Sequence, residues 1–211
     1  MHRYVIAAVL GGLVWMSAAP ADAQAAPPLY RVVNVDAHDT LNIRATPSPT
    51  AAILGDLPPD TRSVEVLETR HGWGRILSGE GSGWISLAYL DVMDRPSLAG
   101  FNAPAGLQCA GTEPFWGVAI HADGSAVYHD MMTLGEDRTM VISDARTARG
   151  RFAPFIYHFE GEVAGMALIR PAQCSDGMSD RVYGWEAMID MRDEAGARLM
   201  EGCCWTPRET G

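Results

Sequence analysis

The sequence predicts an all-β protein built from two units: a small barrel, then a second antiparallel β-barrel or half-barrel stapled by disulfides. Three observations lead there. Hydrophobic periodicity is two rather than about 3.6 through most of the chain. Clusters of Gly, Pro and Asp cut the apolar runs short, and a Pro/Gly/Ala stretch interrupts the pattern near the middle.

The amino terminus stands apart from both units. Arg3 supplies a positive start, Tyr4 to Ala19 is a nearly uncharged apolar run, and Pro20 breaks it. Ala21-Asp22-Ala23 then places small residues at the two positions a signal peptidase reads. Residues 1–23 are therefore expected to be a signal peptide, cleaved after Ala23. As an uncleaved anchor the run falls short of the roughly 20 apolar residues of a comfortable span, and no later segment is long and apolar enough. The mature chain is expected to be periplasmic or secreted, with no membrane span after cleavage.

Cleavage removes Arg3 and Asp22 together, so the net charge of −10 is unchanged. That balance argues against nucleic acid, whose phosphates require a basic footprint, and against docking on an anionic membrane face. All 16 basic residues are arginine, a bias to which no function attaches. After a short tether at 24–28, the first unit is expected at 29–92, a linker at 93–106 and a β-rich second unit at 107–207.

Within 29–92 the runs "YRVVNV", "TLNIRA", "SVEVLET", "GWGRILS" and "GWISL" are rich in β-branched and aromatic residues. Turn clusters separate them: Asp36-Ala37-His38-Asp39, Pro47-Ser48-Pro49, Pro58-Pro59-Asp60, His71-Gly72 and the Gly79 to Gly83 loop. Five short strands so punctuated predict a small closed barrel, since closure removes edges that invite aggregation. The order "TLNIRATPSPTAAILGDLP", "GWGRI", "GSGWISLAYL" resembles bacterial SH3 domains. Leu41, Asn42, Ile43 and Arg44 match that family's opening strand and Pro47-Ser48 its first turn. Ile53, Leu54 and Leu57 match its next apolar positions, and Trp73 and Gly83-Trp84-Ile85 its closing hairpin. Pro58-Pro59-Asp60 departs from the more flexible, Gly-containing turn common there.

The resemblance implies a binding module for peptidoglycan or for an envelope peptide or protein, and it brings no catalytic residue. The candidate ligand-binding residues are Asn42, Arg44, Trp73, Trp84 and Tyr89. Two roles are open to the aromatics. They can fill barrel core and rim, as large side chains that bury on average. Alternatively they form a stacking wall for a sugar or peptide, with Asn42 and Arg44 as polar partners. Asn42 also suits a structural hydrogen bond at a strand or turn.

The second unit reads as successive hairpins. "PFWGVAIHADGSAVYHD" turns about Ala122-Asp123-Gly124, "FIYHFEGEVAGMALIRP" about Glu160-Gly161, and "VYGWEAMIDMRDEAGARLMEGCCW" at Asp193 to Gly196. With "TMVIS" this makes about seven strands in sequential order, a meander that most simply curls into a barrel or half-barrel. "MMTLGEDRT" suits a short helix or a loop.

The four cysteines, Cys109, Cys174, Cys203 and Cys204, decide whether this unit does chemistry or holds a shape. Export implies an oxidising compartment, where an even count favours structural bridges. Neighbours on a strand point to opposite faces. Cys203 and Cys204 can therefore each take one of Cys109 and Cys174, in either connectivity. Zinc would prefer Cys-x-x-Cys pairs or neighbouring histidines. Calcium would need more acids than Asp176 and Asp180 supply. A redox pair at 203–204 lacks both the usual spacing and a helix start. Ser175, Asp176, Gly177, Ser179 and Asp180 suit turn formation.

Elsewhere in this unit, Pro114, Phe115 and Trp116 suit strand entry and packing. Glu113 has no second carboxylate beside it in sequence. His121, His129 and His158 could join a Ser/His/Asp arrangement only if folding gathers them; on strands such residues are ordinarily rim or surface. No metal or cofactor is called for. The combination "CAGTEPFW", "CSDGMSDRVY" and "GCC" resembles a family of small, uncharacterised bacterial envelope proteins, which implies a distinct β domain and no activity. The reading is of a non-enzymatic envelope protein that binds peptidoglycan or an envelope partner. Alternatives are a periplasmic inhibitor of a wall-degrading enzyme such as lysozyme, acting through the second unit, and an enzyme acting on the wall or on thiols.

Overall fold

The computed structural model describes residues 25–131 and 136–210. The export signal expected at 1–23 lies outside the described residues, as does most of the "MMTLG" segment. No helix among the described residues is long and apolar enough to cross a membrane.

The first unit comprises β1 (Leu29–Val32), β2 (Leu41–Arg44), β3 (Ile53–Leu57), β4 (Val64–Glu65), β5 (Glu68–Arg70), β6 (Trp73–Ser78), β7 (Gly81–Ser86) and β8 (Leu90–Met93). A single 3-10 turn, Leu87–Tyr89, precedes β8. The strands form two sheets, β4-β1-β8 and β3-β2-β7-β6-β5, rather than one continuous closed ladder. Alternation sends Val32, Leu41, Ile43, Leu57, Val64, Ile76 and Ile85 into one shared core. The run "SVEVLET", expected as one strand, divides because it changes sheets. Val66 N–H bonds Pro28 O at 3.1 Å, and Leu67 N–H bonds Arg75 O at 2.9 Å. Neighbouring strands β2 and β7 approach closely at Gly83, where a Cβ would fall 2.3 Å from Ile43 Cγ2.

The second unit is a closed barrel of β9 (Leu107–Thr112), β10 (Phe115–Ile120), β11 (Ser125–Asp130), β12 (Arg138–Thr147), β13 (Phe155–Gly161), β14 (Ala164–Cys174), β15 (Tyr183–Asp193) and β16 (Gly196–Trp205). Each strand pairs antiparallel with its neighbour in sequence, and β16 returns to β9. The strand beyond the seven expected is β9. "LQCAGT" has little β-propensity of its own and is held by what it pairs with. Glycine is needed there: a Cβ on Gly111 would lie 2.2 Å from the Trp116 indole nitrogen. Eight strands leave an interior that side chains can fill. Trp185, Tyr128, Tyr157, Phe159, Met140 and Ile169 fill it.

Both ends of the barrel are closed. Residues 93–106, expected as a linker, are built into one end. Leu98, Ala103 and Ala105 join the barrel core, and Tyr157 O–H donates to Pro104 O at 2.8 Å. The Pro/Gly composition reads as a linker because it lacks periodicity, yet its small residues suit a tight plug. At the other end, Arg138 donates to Asp193 at 2.6 Å and to Asp130 at 2.9 Å, and Arg198 bonds Asp193. Burial pushes the Asp193 carboxyl up, but the two guanidiniums outweigh it and hold the pKa below the ordinary value.

The cysteines are staples. Cys109 pairs with Cys204, and Cys174 with Cys203, leaving none free. Cys109 and Cys204 face each other across the β9–β16 seam inside the barrel. Cys203, on the opposite face, ties down the end of β14.

The two units are docked on each other. Glu65 of β4 accepts from Arg95 at 2.9 Å, from the Trp185 indole at 2.9 Å and from Thr206 O–H at 3.1 Å. The side chains of Glu65 and Arg95 are 5% and 15% exposed. Glu209 and Arg62 exchange backbone bonds at 2.8 and 3.2 Å, and Asp180 N–H reaches Glu80 O at 3.0 Å.

Two outcomes are expected. Arg95→Met strands a buried carboxylate and should destabilise the fold by about 3–5 kcal/mol in urea unfolding. Adding Glu65→Gln should restore part of that loss; no recovery would mean that the lost packing of Arg95, not its charge, accounts for the effect. Replacing Cys109 and Cys204 by alanine should cost about 2–5 kcal/mol. It should exceed the cost of the same change at Cys174 and Cys203, because the closed loops span 95 and 29 residues. The reverse order would contradict a loop-length origin.

Candidate functional site

β2 supplies the first wall of a cleft on the first unit. Its alternation buries Leu41 and Ile43 and turns Asn42 and Arg44 outward. Trp73 opens β6 directly opposite Ser86 of β7, on the same outer side. Tyr89 ends the 3-10 turn and is 42% exposed, while its carbonyl accepts Val33 N–H at 2.9 Å. Asn34 sits at φ 58°, a left-handed conformation that asparagine tolerates.

The turn that follows is fixed by its own acids. Asp39 N–H bonds Asp36 O at 2.9 Å, Asp36 Oδ1 accepts His38 N–H at 3.0 Å, and Asp39 Oδ1 accepts Thr40 N–H at 2.8 Å. These residues enclose a cleft of about 530 Å3.

Asn42, Arg44, Trp73 and Tyr89, four of the candidate ligand residues, line this one cleft. Trp84 does not. It is buried on the outer face beneath Arg70, whose guanidinium lies 5.5 Å from its ring, and it pairs across strands with Arg44 and Arg75. Arg44 spends one N–H on Ala51 O at 2.8 Å, bracing the β2–β3 loop. Residues not singled out from the sequence also contribute: Asn34, Asp36, Asp39 and Ser86. Their signal was in view, since two acids bracket the turn leading into the Asn42 strand, but a turn-forming Asp explains itself without a ligand.

The lining carries two carboxylates against one guanidinium. Chemically, the cleft can stack a ring or flat amide on Trp73 and Tyr89 while Asp36, Asp39 and Asn42 take N–H and O–H donors.

The chemical candidates of the second unit are dispersed. His121 follows β10, His129 stands on the outer face of β11 over Gly117, and His158 of β13 lies 3.4 Å from Arg146. Glu113 is exposed at the β9–β10 turn. In the "SDGMSD" loop, Asp176 accepts the backbone N–H of Met178 and Ser179 at 3.0 and 2.9 Å. It also accepts the hydroxyls of Ser179 and Tyr183 at 2.8 and 3.0 Å. The loop is held by its own side chains and docks on the first unit through Arg181, which donates to Gly79 O at 2.7 Å.

Residues 39–91 match the family model of the bacterial SH3 domain, which identifies that segment as such a domain. The match begins within the acidic turn, so β1 and Asn34 lie ahead of it. No curated protein matches the chain, and no solved structure matches it.

The Asp176 loop has a definite pH dependence. Partial burial pushes this carboxyl up, but the four donors outweigh it and hold the pKa at about 2, below the ordinary 3.8. A folded-state value lower than the unfolded one stabilises fully above the unfolded pKa and fades as pH falls through the folded one. Asp176→Asn should therefore be less stable than the parent at about pH 5, with the gap closing toward about pH 2. A gap that stays constant in urea unfolding across that window would exclude the carboxylate as its source.

Proposed function

We propose that the chain is an exported, non-enzymatic envelope protein whose SH3 cleft binds peptidoglycan or an envelope peptide. One observation carries this reading: Trp73, Tyr89, Asn42 and the Asp36–Asp39 turn converge on one open cleft, in and beside the bacterial SH3 segment. Peptidoglycan offers what such a lining takes. Its sugar rings and planar amides stack on aromatic faces, and its N–H, O–H and amino groups donate to carboxylates and amides. The two disulfides support an oxidising compartment. The signal-like residues 1–23 support export, and the resemblance of the second unit to small envelope proteins supports the same location. Binding without turnover is the reading we favour, because Asp36 and Asp39 are engaged by backbone N–H groups of their own turn and Arg44 by Ala51 O.

Co-sedimentation of the mature protein with purified sacculi tests this. The parent should pellet with the sacculi. Replacing both Trp73 and Tyr89 by alanine should weaken binding about tenfold or more, with near-ultraviolet dichroism reporting that the core is intact. A parent protein that stays in the supernatant would overturn wall binding and leave an envelope peptide as ligand. Release of soluble fragments from the sacculi would overturn the non-enzymatic reading.

A further inference from the structure

A second concavity, of about 300 Å3, lies where the two units meet, away from the SH3 cleft. One wall is aromatic: the Tyr183 and Trp205 rings lie 5.5 Å apart, tilted by 43°. The facing wall is the β6–β7 hairpin, with the carboxyl-terminal tail closing the side. Glu65 lines it, and its two oxygens differ. Oε1 accepts three donors, from Arg95, Trp185 and Thr206, whereas Oε2 accepts none among the described residues and is sealed behind the cavity wall. A buried carboxylate oxygen without a donor is costly.

The charges around the cavity do not cancel. Glu65 is matched by Arg95 and Arg181 by Glu80. Arg208 donates one N–H to Leu77 O at 2.9 Å and forms no ion pair among the described residues. One positive charge and an aromatic wall are thus left over in a space of monosaccharide or dipeptide size.

We propose that this cavity binds a small carboxylate, such as a sugar acid or the carboxyl end of a short peptide. Arg208, whose charge is unmatched, takes the carboxylate. The body of the ligand lies against Trp205 and Tyr183. A neutral ligand leaves the Arg208 charge uncompensated. A cationic one is repelled by it.

The test is calorimetric titration of the full mature chain with N-acetylmuramic acid and, separately, with alanylalanine, each bearing a carboxylate and donors. N-acetylglucosamine, which lacks the carboxylate, is the control. At least one acid should bind and should change tryptophan fluorescence in the parent but not in Trp205→Phe. N-acetylglucosamine should bind about tenfold more weakly, and Arg208→Gln, on the exposed tail, should lose about the same factor for the acid. Which acid binds separates the sugar from the peptide source. Binding of neither acid, undiminished binding by Arg208→Gln, or a fluorescence change that survives Trp205→Phe would each overturn the proposal.

Discussion

A carboxylate taken out of water must be matched where it lies, because its desolvation costs several kcal/mol and is recovered only through well-placed donors. Glu65 is such a group, and its donors come from distant parts of the chain: Arg95, the indole of Trp185 and the hydroxyl of Thr206. One belongs to the stretch between the units, one to a barrel strand and one to the carboxyl-terminal tail. No piece alone can satisfy it. Arg95 adds a stack over the Trp185 ring at 4.8 Å and a bond to Pro27 O at 2.7 Å, so the tether ahead of β1 is drawn into the same knot. The consequence is that docking of the units belongs to the folding of the protein.

The barrel meets the other half of that requirement by offering Trp185 from a fixed position. Its weakest strand by composition is β9, where Gly, Ala and Cys replace the β-branched residues found elsewhere. The seam between β9 and β16 is where a meander would open, and there the interior disulfide sits. Adjacent cysteines on one strand serve opposite faces, so Cys203 anchors β14 from outside while Cys204 closes the seam from within. The Arg138, Arg198, Asp130 and Asp193 network at the far end keeps water from the core by pairing charges rather than by burying more hydrocarbon.

Two concavities of different electrostatic character result. The SH3 cleft is edged by Asp36 and Asp39 and suits ligands rich in donors. The cavity between the units has surplus positive charge from Arg208 and suits an acid. Because the second forms only where the units meet, whatever binds it would also strengthen their docking through mass action.

Local chemistry by itself determined much. Period-two alternation, turn residues and paired cysteines depend on neighbours a few positions away, so the all-β class, most strands, the SH3 segment and the stapling role of Cys109, Cys174, Cys203 and Cys204 were legible. Asn42, Arg44, Trp73 and Tyr89 were singled out by residue type, and the fold gathers them at one cleft, the first three from outward strand positions and Tyr89 from the 3-10 turn. Only the tertiary structure decided the rest. Which cysteine meets which follows from the register of β16 on β9. That 93–106 plugs a barrel follows from Leu98 and Ala105 meeting strands far along the chain. Trp84 lies outside the cleft, with Arg70 of another strand over its ring, and nothing local marks Glu65, whose donor Trp185 is 120 residues away. Closure, register and buried pairing are long-range, and no local pattern encodes them.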